Sequence, residues 1–503
     1  MKRNLQLRLL SLIMAAVMAL GLLPAASAAP VGLRWKKSDV EVSPDLTDRL
    51  VQSELHTPDT RKPTDMVRVS IILEEKPTLM AGYATAGIGS NTDARAYDRS
   101  LQRSQQDMAA AISRHALGGR ALDVVWNLTL AANIISANVP YGALEAIRDV
   151  PGVRDVVPER SYQPDVLEPN TSSSSGMTGS SLLWETGLTG AGTRIAVVDT
   201  GTDTDHQSFD NSAFLHALGD QASTLDLLDA EEISAVLPLL NVTERIGYAD
   251  GSAYYLNEKL PFGANYVDRD LTVDHDHDYQ GSHGSHVAGI AAANRFLPAG
   301  DSFVSAQDTV GMSGMAPDAQ ILTMKVFGSA DGPFDSDYFA AIEDAIWLGC
   351  DSINLSLGSG SPGHSENRLF ADLLDFMATT DTVVVMSAGN SGHWAEHTAT
   401  GHLYSDGVSF HTAGSPGTYT NSLAVASVDS SGDPGSCAMS AFSSWGVPGS
   451  LELKPEITAP GGSIYSVDGM DPSGTGYEIM SGTSMAAPHI TGMAALLAQH
   501  IRA

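Results

Sequence analysis

The chain has 503 residues, 43% of them hydrophobic, and sets 28 Lys and Arg against 59 Asp and Glu for a formal net charge of −31. That length is enough for several domains and a large core, while the acidity argues against nucleic acid as a partner and against electrostatic docking on anionic lipid. Cys350 and Cys437 are too few for a disulfide framework; one ends a helical segment, the other lies in a Ser/Gly-rich loop, and both are expected as free thiols.

Residues 1–28 read as a secretory signal: Lys2, Arg3 and Arg8, then an apolar run from Leu9 to Leu23, then Ala26-Ser27-Ala28 as a small-residue cleavage site. The run is short for a membrane span and no other stretch reaches its length, so a soluble, exported product without a transmembrane segment is expected. Residues 29–64 are polar and proline-punctuated, a linker or arm. A small domain follows over 65–163. Val67, Val69 and Ile71 alternate with Arg68, Ser70 and Ile72 as a strand, and Leu101, Met108 and Ile112 mark a helix that Gly118-Gly119 ends. Val124 to Val139 is long enough for two strands turning near 131–133. Pro140 then opens a second helix with Leu144 and Ile147, and Pro151-Gly152 turns into a strand from Val153 to Val157. The order β-α-β-β-α-β is that of a ferredoxin-like α+β unit. It carries no cluster of residues suited to chemistry, and on its residues alone it is an accessory module. Residues 164–181, with Ser172 to Ser175, form a Ser-rich linker where cleavage is expected.

From 182 to 503 short apolar runs alternate with helical segments. Arg194 to Asp199, Gln320 to Phe327, Ser352 to Leu357, Thr382 to Ala388 and Leu423 to Val428 are the continuous apolar kind that a sheet covered on both faces requires. Asp337 to Gly349 and Glu366 to Thr379 supply crossover helices. The expected fold is α/β, a doubly wound and mostly parallel sheet, whose function should gather at the carboxyl ends of the strands. Asp199 and Asn390 fall there.

Gly482-Thr483-Ser484-Met485-Ala486 turns into an apolar helix through Leu497, placing Ser484 in a first turn where backbone N–H groups lack partners and the dipole is positive. A lone serine there is ordinarily an N-cap. Three upstream blocks change its meaning: Asp199-Thr200-Gly201 after Ile195 to Val198, Gly281-Ser282-His283-Gly284-Ser285-His286, and Ser387-Ala388-Gly389-Asn390. In this order, from about residue 178 onward, they resemble the subtilisin family of serine endopeptidases. The resemblance implies Ser484 as nucleophile, His283 as base, Asp199 as the carboxylate orienting it, and Asn390 as oxyanion donor beside the Ser484 N–H. His286 is implied to be structural. It also implies that Ser356, Leu357 and Gly358 pair with the substrate backbone; Gly332-Pro333-Phe334 matches the opposite flank loosely and is left out. The small domain's placement resembles the family's propeptide, an intramolecular chaperone and inhibitor whose tail occupies the cleft. The serine lacks the second glycine of an esterase nucleophile elbow.

Three departures stand out. The second histidine block has Ser285 where threonine is usual, and Ser208 replaces an aspartate that binds calcium in many relatives. No cofactor is required, and calcium is possible without an assigned site. The third is an insertion separating Asp199 and His283 by 84 positions. It runs through acidic Asp220 to Glu232 to Asp268, Asp270 and the tract Asp274-His275-Asp276-His277-Asp278; with Phe262-Gly263-Ala264-Asn265-Tyr266 it is similar to the bacterial cell-envelope branch. That tract is expected as a solvated acidic loop at the cleft rim, with metal binding as its alternative. The expectation is a secreted or cell-envelope protease made as a zymogen, with protein or peptide substrate and its own propeptide as partners. The alternatives are a catalytically silent binding or adhesion protein and an esterase. Because nineteen residues follow Ser484, the catalytic domain is also expected to continue beyond Ala503.

Overall fold

The computed structural model describes residues 61–85, 87–159, 163–164, 175–248, 250–275, 281–329, 332–358, 368–392, 412–429, 438–447 and 452–503. The expected signal segment, almost all of the arm, most of the Ser-rich linker, residues 276–278 of the Asp/His tract and Cys437 lie outside these residues. Cys350 is a buried free thiol whose pKa burial pushes well up.

The small domain has the expected order: β1 (Met66–Leu73), α1 (Thr92–His115), β2 (Asp123–Leu128), β3 (Ile134–Pro140), α2 (Leu144–Arg148) and β4 (Val153–Pro158). Its strands form an antiparallel sheet in the order β2-β3-β1-β4. The Asn91 side chain caps α1 by accepting from the N–H groups of Asp93 and Ala94. Strand alternation divides the sheet into two faces. Val69, Ile71 and Leu73 of β1 and Ile135, Ala137 and Val139 of β3 pack with Ile112 of α1 and Ile147 of α2. Ile72, Trp126, Leu128 and Ile134 belong instead to a core shared with the large domain. A two-residue strand, β5 (Gln163–Pro164), trails from this domain.

The large domain begins with β6 (Arg194–Asp199) and continues through the insertion, which contributes three helices: α3 (Asn211–Leu218), α4 (Ala230–Val236) and α5 (Asn241–Ile246). Next come β7 (Phe262–Asn265), α6 (His283–Ala292), β8 (Gln320–Lys325), α7 (Asp335–Trp347), β9 (Ser352–Leu355), β10 (Leu357–Gly358), α8 (Arg368–Met377) and β11 (Val383–Ser387). β12 (Leu423–Asp429), β13 (Ile457–Gly462), β14 (Ile464–Val467), β15 (Tyr477–Met480) and α9 (Thr483–Arg502) complete the described chain. Seven strands make a parallel sheet in the order β13-β12-β11-β9-β6-β8-β7, as the doubly wound reading expects. Along β6, Ile195 and Val197 enter a core with α6 and α9, while Ala196 and Val198 enter the core with α7. Both faces of the sheet are therefore covered.

Some boundaries differ from the sequence reading. The apolar run 352–357 is interrupted at Ser356, and β10 leaves the large sheet to pair with β5. The edge strands β7 and β13 were not anticipated, because Gly263 in one and Pro460-Gly461-Gly462 in the other weaken strand patterning; edges tolerate such residues. Lys259 is wholly buried, and its Nζ donates to the carbonyls of Ala292, Pro317 and Ala319 at 2.7, 3.0 and 2.8 Å. It thereby ties down the carboxyl end of α6, whose other end carries His283. On α9, Leu496 is buried while Leu497 and Ile501 are exposed. No helix among the described residues is long and apolar enough to cross a membrane.

Candidate active site

Asp199 is the last residue of β6 and His283 the first of α6, and their side chains are sealed from solvent. His283 Nδ1 donates to Asp199 Oδ1 at 2.6 Å. The backbone explains the glycines around them. A Cβ on Gly284 would lie 2.1 Å from the Gly201 carbonyl oxygen, and one on Gly201, at φ +114°, would lie 2.3 Å from the Val273 carbonyl oxygen. Only glycine lets the start of α6 press this closely on the loop leaving β6. Thr200 joins the two, its Oγ1 accepting from the Gly284 N–H at 2.8 Å.

Ser484 lies in the first turn of α9, wholly buried. Its Oγ donates to the Ser356 carbonyl at 3.2 Å, and Ser356 Oγ donates back to the Ser484 carbonyl at 2.8 Å. Asn390 Oδ1 accepts from the Thr483 N–H at 2.8 Å and from Thr483 Oγ1 at 3.1 Å. These contacts fix which way the amide faces, and its Nδ2 is a buried donor with no hydrogen-bond partner among the described residues. Leu357 and Gly358 of β10 pair antiparallel with Pro164 and Gln163 of β5. The trailing segment of the small domain thus occupies the edge that the sequence reading assigned to substrate, as an added strand.

His286 is buried, its Nε2 donating to the Ile464 carbonyl at 3.0 Å, and desolvation lowers its pKa to about 3. Ser208 Oγ is hydrogen bonded to the Tyr477 hydroxyl at 2.8 Å. His275 corrects an expectation. Instead of lying in a solvated loop it is buried, its Nε2 accepting from Ser285 Oγ at 2.7 Å while that hydroxyl accepts from the Asp203 N–H at 2.7 Å. Desolvation, then the neighbouring Lys325 and His283 charges, lower its pKa to about 3. A Cβ on Gly469 would meet both the Ser285 side chain and the His275 ring. Sequence reasoning also missed Glu478, which accepts from Ser282 Oγ beside His283; desolvation raises its pKa. Glu478 falls in no motif and the Asp/His tract carries no sign that His275 is buried, so contact across the fold was the only signal for either.

The small domain rests on α7 through buried acids. Arg68 Nη1 donates to both carboxylate oxygens of Asp337, at 3.0 and 2.9 Å, and Trp126 Nε1 donates to the same carboxylate at 2.8 Å. Glu159 accepts from the N–H and the Oγ of Ser336 at the amino end of α7, at 3.2 and 2.6 Å. In the other direction, Glu343 of α7 accepts from the backbone N–H groups of Thr129, Leu130, Ala131 and Ala132 at 3.2, 3.1, 2.8 and 3.1 Å. The loose match at Phe334 also has a role here, since the Arg68 guanidinium lies 4.4 Å from its ring centroid.

The model of the subtilase family matches residues 190–502, a span containing Asp199, His283, Asn390 and Ser484. The chain belongs to the subtilase family. It is 35% identical over 246 residues to subtilisin DY of Bacillus licheniformis, covering 49% of this chain and 72% of that protein. It is 29% identical over 303 residues to the PI-type proteinase of Lactococcus lactis subsp. cremoris, covering 59% of this chain but only 14% of that much longer protein. Fervidolysin from Fervidobacterium pennivorans, a keratinolytic enzyme related to subtilisin, superposes with a TM-score of 0.51 at 20% identity, covering 87% of this chain and 55% of that one, and supports the fold. These relatives are consistent with both family resemblances read from the sequence.

Proposed function

We propose that this subtilase is an exported serine endopeptidase made as a zymogen, with Ser484, His283 and Asp199 as its catalytic residues. The observation carrying the proposal is the sealed 2.6 Å contact between His283 and Asp199, together with a serine at the positive end of α9. In this mechanism the Ser484 hydroxyl passes from the Ser356 carbonyl to neutral His283, which takes its proton as the oxygen attacks a peptide carbonyl. Asp199 holds the imidazole by Nδ1–H and stabilises the imidazolium. The tetrahedral oxyanion accepts from Asn390 Nδ2 and the Ser484 N–H. His283 then returns the proton to the leaving amine, and water releases the acyl group by the reverse sequence.

Substrate binds as a strand on Leu357–Gly358, with Ser356 beside the nucleophile. Since β5 pairs with the same two residues, the small domain and a substrate exclude each other, which is the physical content of the zymogen reading. Activation requires a cut within residues 164–181 and departure of the small domain. The mechanism requires no cofactor. The test is a fluorophosphonate probe with casein hydrolysis, comparing the chain with Ser484→Ala. Labelling and hydrolysis, both lost in the variant along with self-processing, are expected. Ester turnover without proteolysis would favour an esterase, and a folded, processed chain that never labels would favour a binding protein.

A further inference from the structure

The insertion between Asp199 and His283 has no part in the chemistry above, yet it folds into three helices and buries an apolar face. That face is turned to the small domain. Ile233, Val236, Leu237, Leu239, Leu240 and Val242 share one buried core with Ile88, Ala94, Val125, Trp126, Leu128 and Leu130. The approach is close: a Cβ on Gly89 would stand 3.1 Å from Val236 Cγ1. Polar contacts accompany the packing. Arg95 Nη2 donates to the Ala235 carbonyl at 3.1 Å, Asn127 Nδ2 to Glu244 Oε2 at 3.4 Å, and the Arg245 guanidinium lies 5.7 Å from the Trp126 ring centroid.

The insertion also braces the acid that receives the small domain. Asp344 of α7 accepts from the N–H groups of Asn241 and Val242 at 2.6 and 3.1 Å, and Asn241 Nδ2 donates to Glu343 Oε2 at 3.2 Å. Glu343 is the carboxylate that gathers the N–H groups of residues 129–132. The start of α5 therefore holds one side of Glu343 while the small domain holds the other.

We infer that the insertion is a second receptor for the small sheet domain, a wall beside α7 that retains this domain after the chain is cut within residues 164–181. The inference rests on the reading of that domain as an inhibitor, and gives the insertion the task of prolonging latency beyond the cut. Its partner is specific in chemistry: an apolar turn and strand end flanked by Arg95 and Asn127, presented to an apolar helical face with an open carbonyl and an acid.

The experiment uses the full chain carrying Ser484→Ala, with the recognition sequence of a foreign protease placed within residues 165–174. After that protease cuts, the small domain's retention is followed by size-exclusion chromatography across a dilution series. Val236→Asp, which sets a carboxylate into the shared core, is expected to weaken retention about 30-fold. Arg95→Glu is expected to weaken it about tenfold, and less in high salt; it leaves the insertion's sequence intact and therefore cannot act by unfolding it. Retention as tight as wild type in both variants would overturn the inference. Because the cut is made by another enzyme, the outcome does not depend on whether Ser484 itself processes the chain.

Discussion

Glu343→Gln tests whether the small domain is held by a buried acceptor. Glu343 Oε1 accepts from Leu130, Ala131 and Ala132, and Oε2 from Thr129 and Asn241. Glutamine can keep Oε1 in place, but its amide nitrogen then faces two donors where an acceptor stood. The Thr129 N–H and the Asn241 amide lose their acceptor, and above about pH 8, where this carboxyl, raised by burial to about 7, is ionised, the three remaining bonds fall from charge-assisted to neutral strength. A hydrogen bond to a charged group contributes ~1.5–3 kcal/mol and a neutral one ~1 kcal/mol. Relief of the carboxylate's burial offsets part of the loss, leaving about 3 kcal/mol. That corresponds to roughly a hundredfold weaker retention of the small domain. The foreign-protease nick in the Ser484→Ala chain measures it directly, with thermal unfolding of the uncut variant as a check on folding. Retention within twofold of wild type would refute the idea that this carboxylate anchors the domain.

Asn390→Ala should lower kcat about 10²–10³-fold with little change in KM, a magnitude taken from the corresponding change in subtilisin itself; an equal loss in both parameters would speak against an oxyanion role. Gly284→Ala should cost most of the activity in a chain that still folds, because its Cβ would stand 2.1 Å from the Gly201 carbonyl oxygen and push α6, with His283, away from Asp199; full activity would contradict close packing at that contact. Acid acts on the buried groups in opposing senses. Burial lowers the pKa of His275 and His286 to about 3 and of His489 to about 4, against about 6.5 unfolded. Stability from depressed bases is complete above pH 6.5 and is lost as pH falls toward 4 and then 3, since only the unfolded chain binds the protons. At pH 5 the three together cost about 6 kcal/mol, but Asp98, Glu159, Glu343 and Asp344, raised by burial to about 6, 7, 7 and 8, take up protons in the folded chain first and offset a comparable amount over the same range, so the Ser484→Ala chain should melt at nearly the same temperature at pH 5 and pH 7. A markedly lower melting temperature at pH 5 would show that the buried acids do not offset the histidines.

The parts of the fold written in local patterns were legible in the sequence. Continuous apolar runs such as Ile195 to Val198 announce a doubly covered parallel strand, whereas the close backbone approach at Gly201 and Gly284 is visible only in the fold. The small domain's alternation was equally readable, but only for the face that packs on its own helices. Its second face was not, because Arg68, Ser70, Ser136 and Trp126 are matched to Asp337, Ser336 and Glu159 across 200 or more positions in most of these pairs. A charged or hydroxylated residue at such a position reads as solvent-facing until its partner is in view. The same limit hid Lys259, His275 and the apolar face of the insertion, whose acidic composition suggested a solvated loop.

That acidic composition acquires a further meaning once the contacts are known. α7 presents Asp337 and Glu343 to the small domain, and the groups that meet them are an arginine, an indole N–H and four backbone N–H groups. Backbone donors carry no net charge, so most of this attraction survives salt that would screen a surface ion pair. Removal of the small domain leaves the carboxylates of α7 to be hydrated again and uncovers the apolar face of α4 and α5 beside them. Re-docking recovers both terms together, whereas an extended substrate strand, pairing only at β10, recovers neither. On the zymogen reading proposed above, a substrate would compete for one edge of the cleft against a domain held at three places, at β10, on α7 and along the insertion, so latency would end when the small domain is itself dismantled and substrate concentration alone would be a weak lever against it.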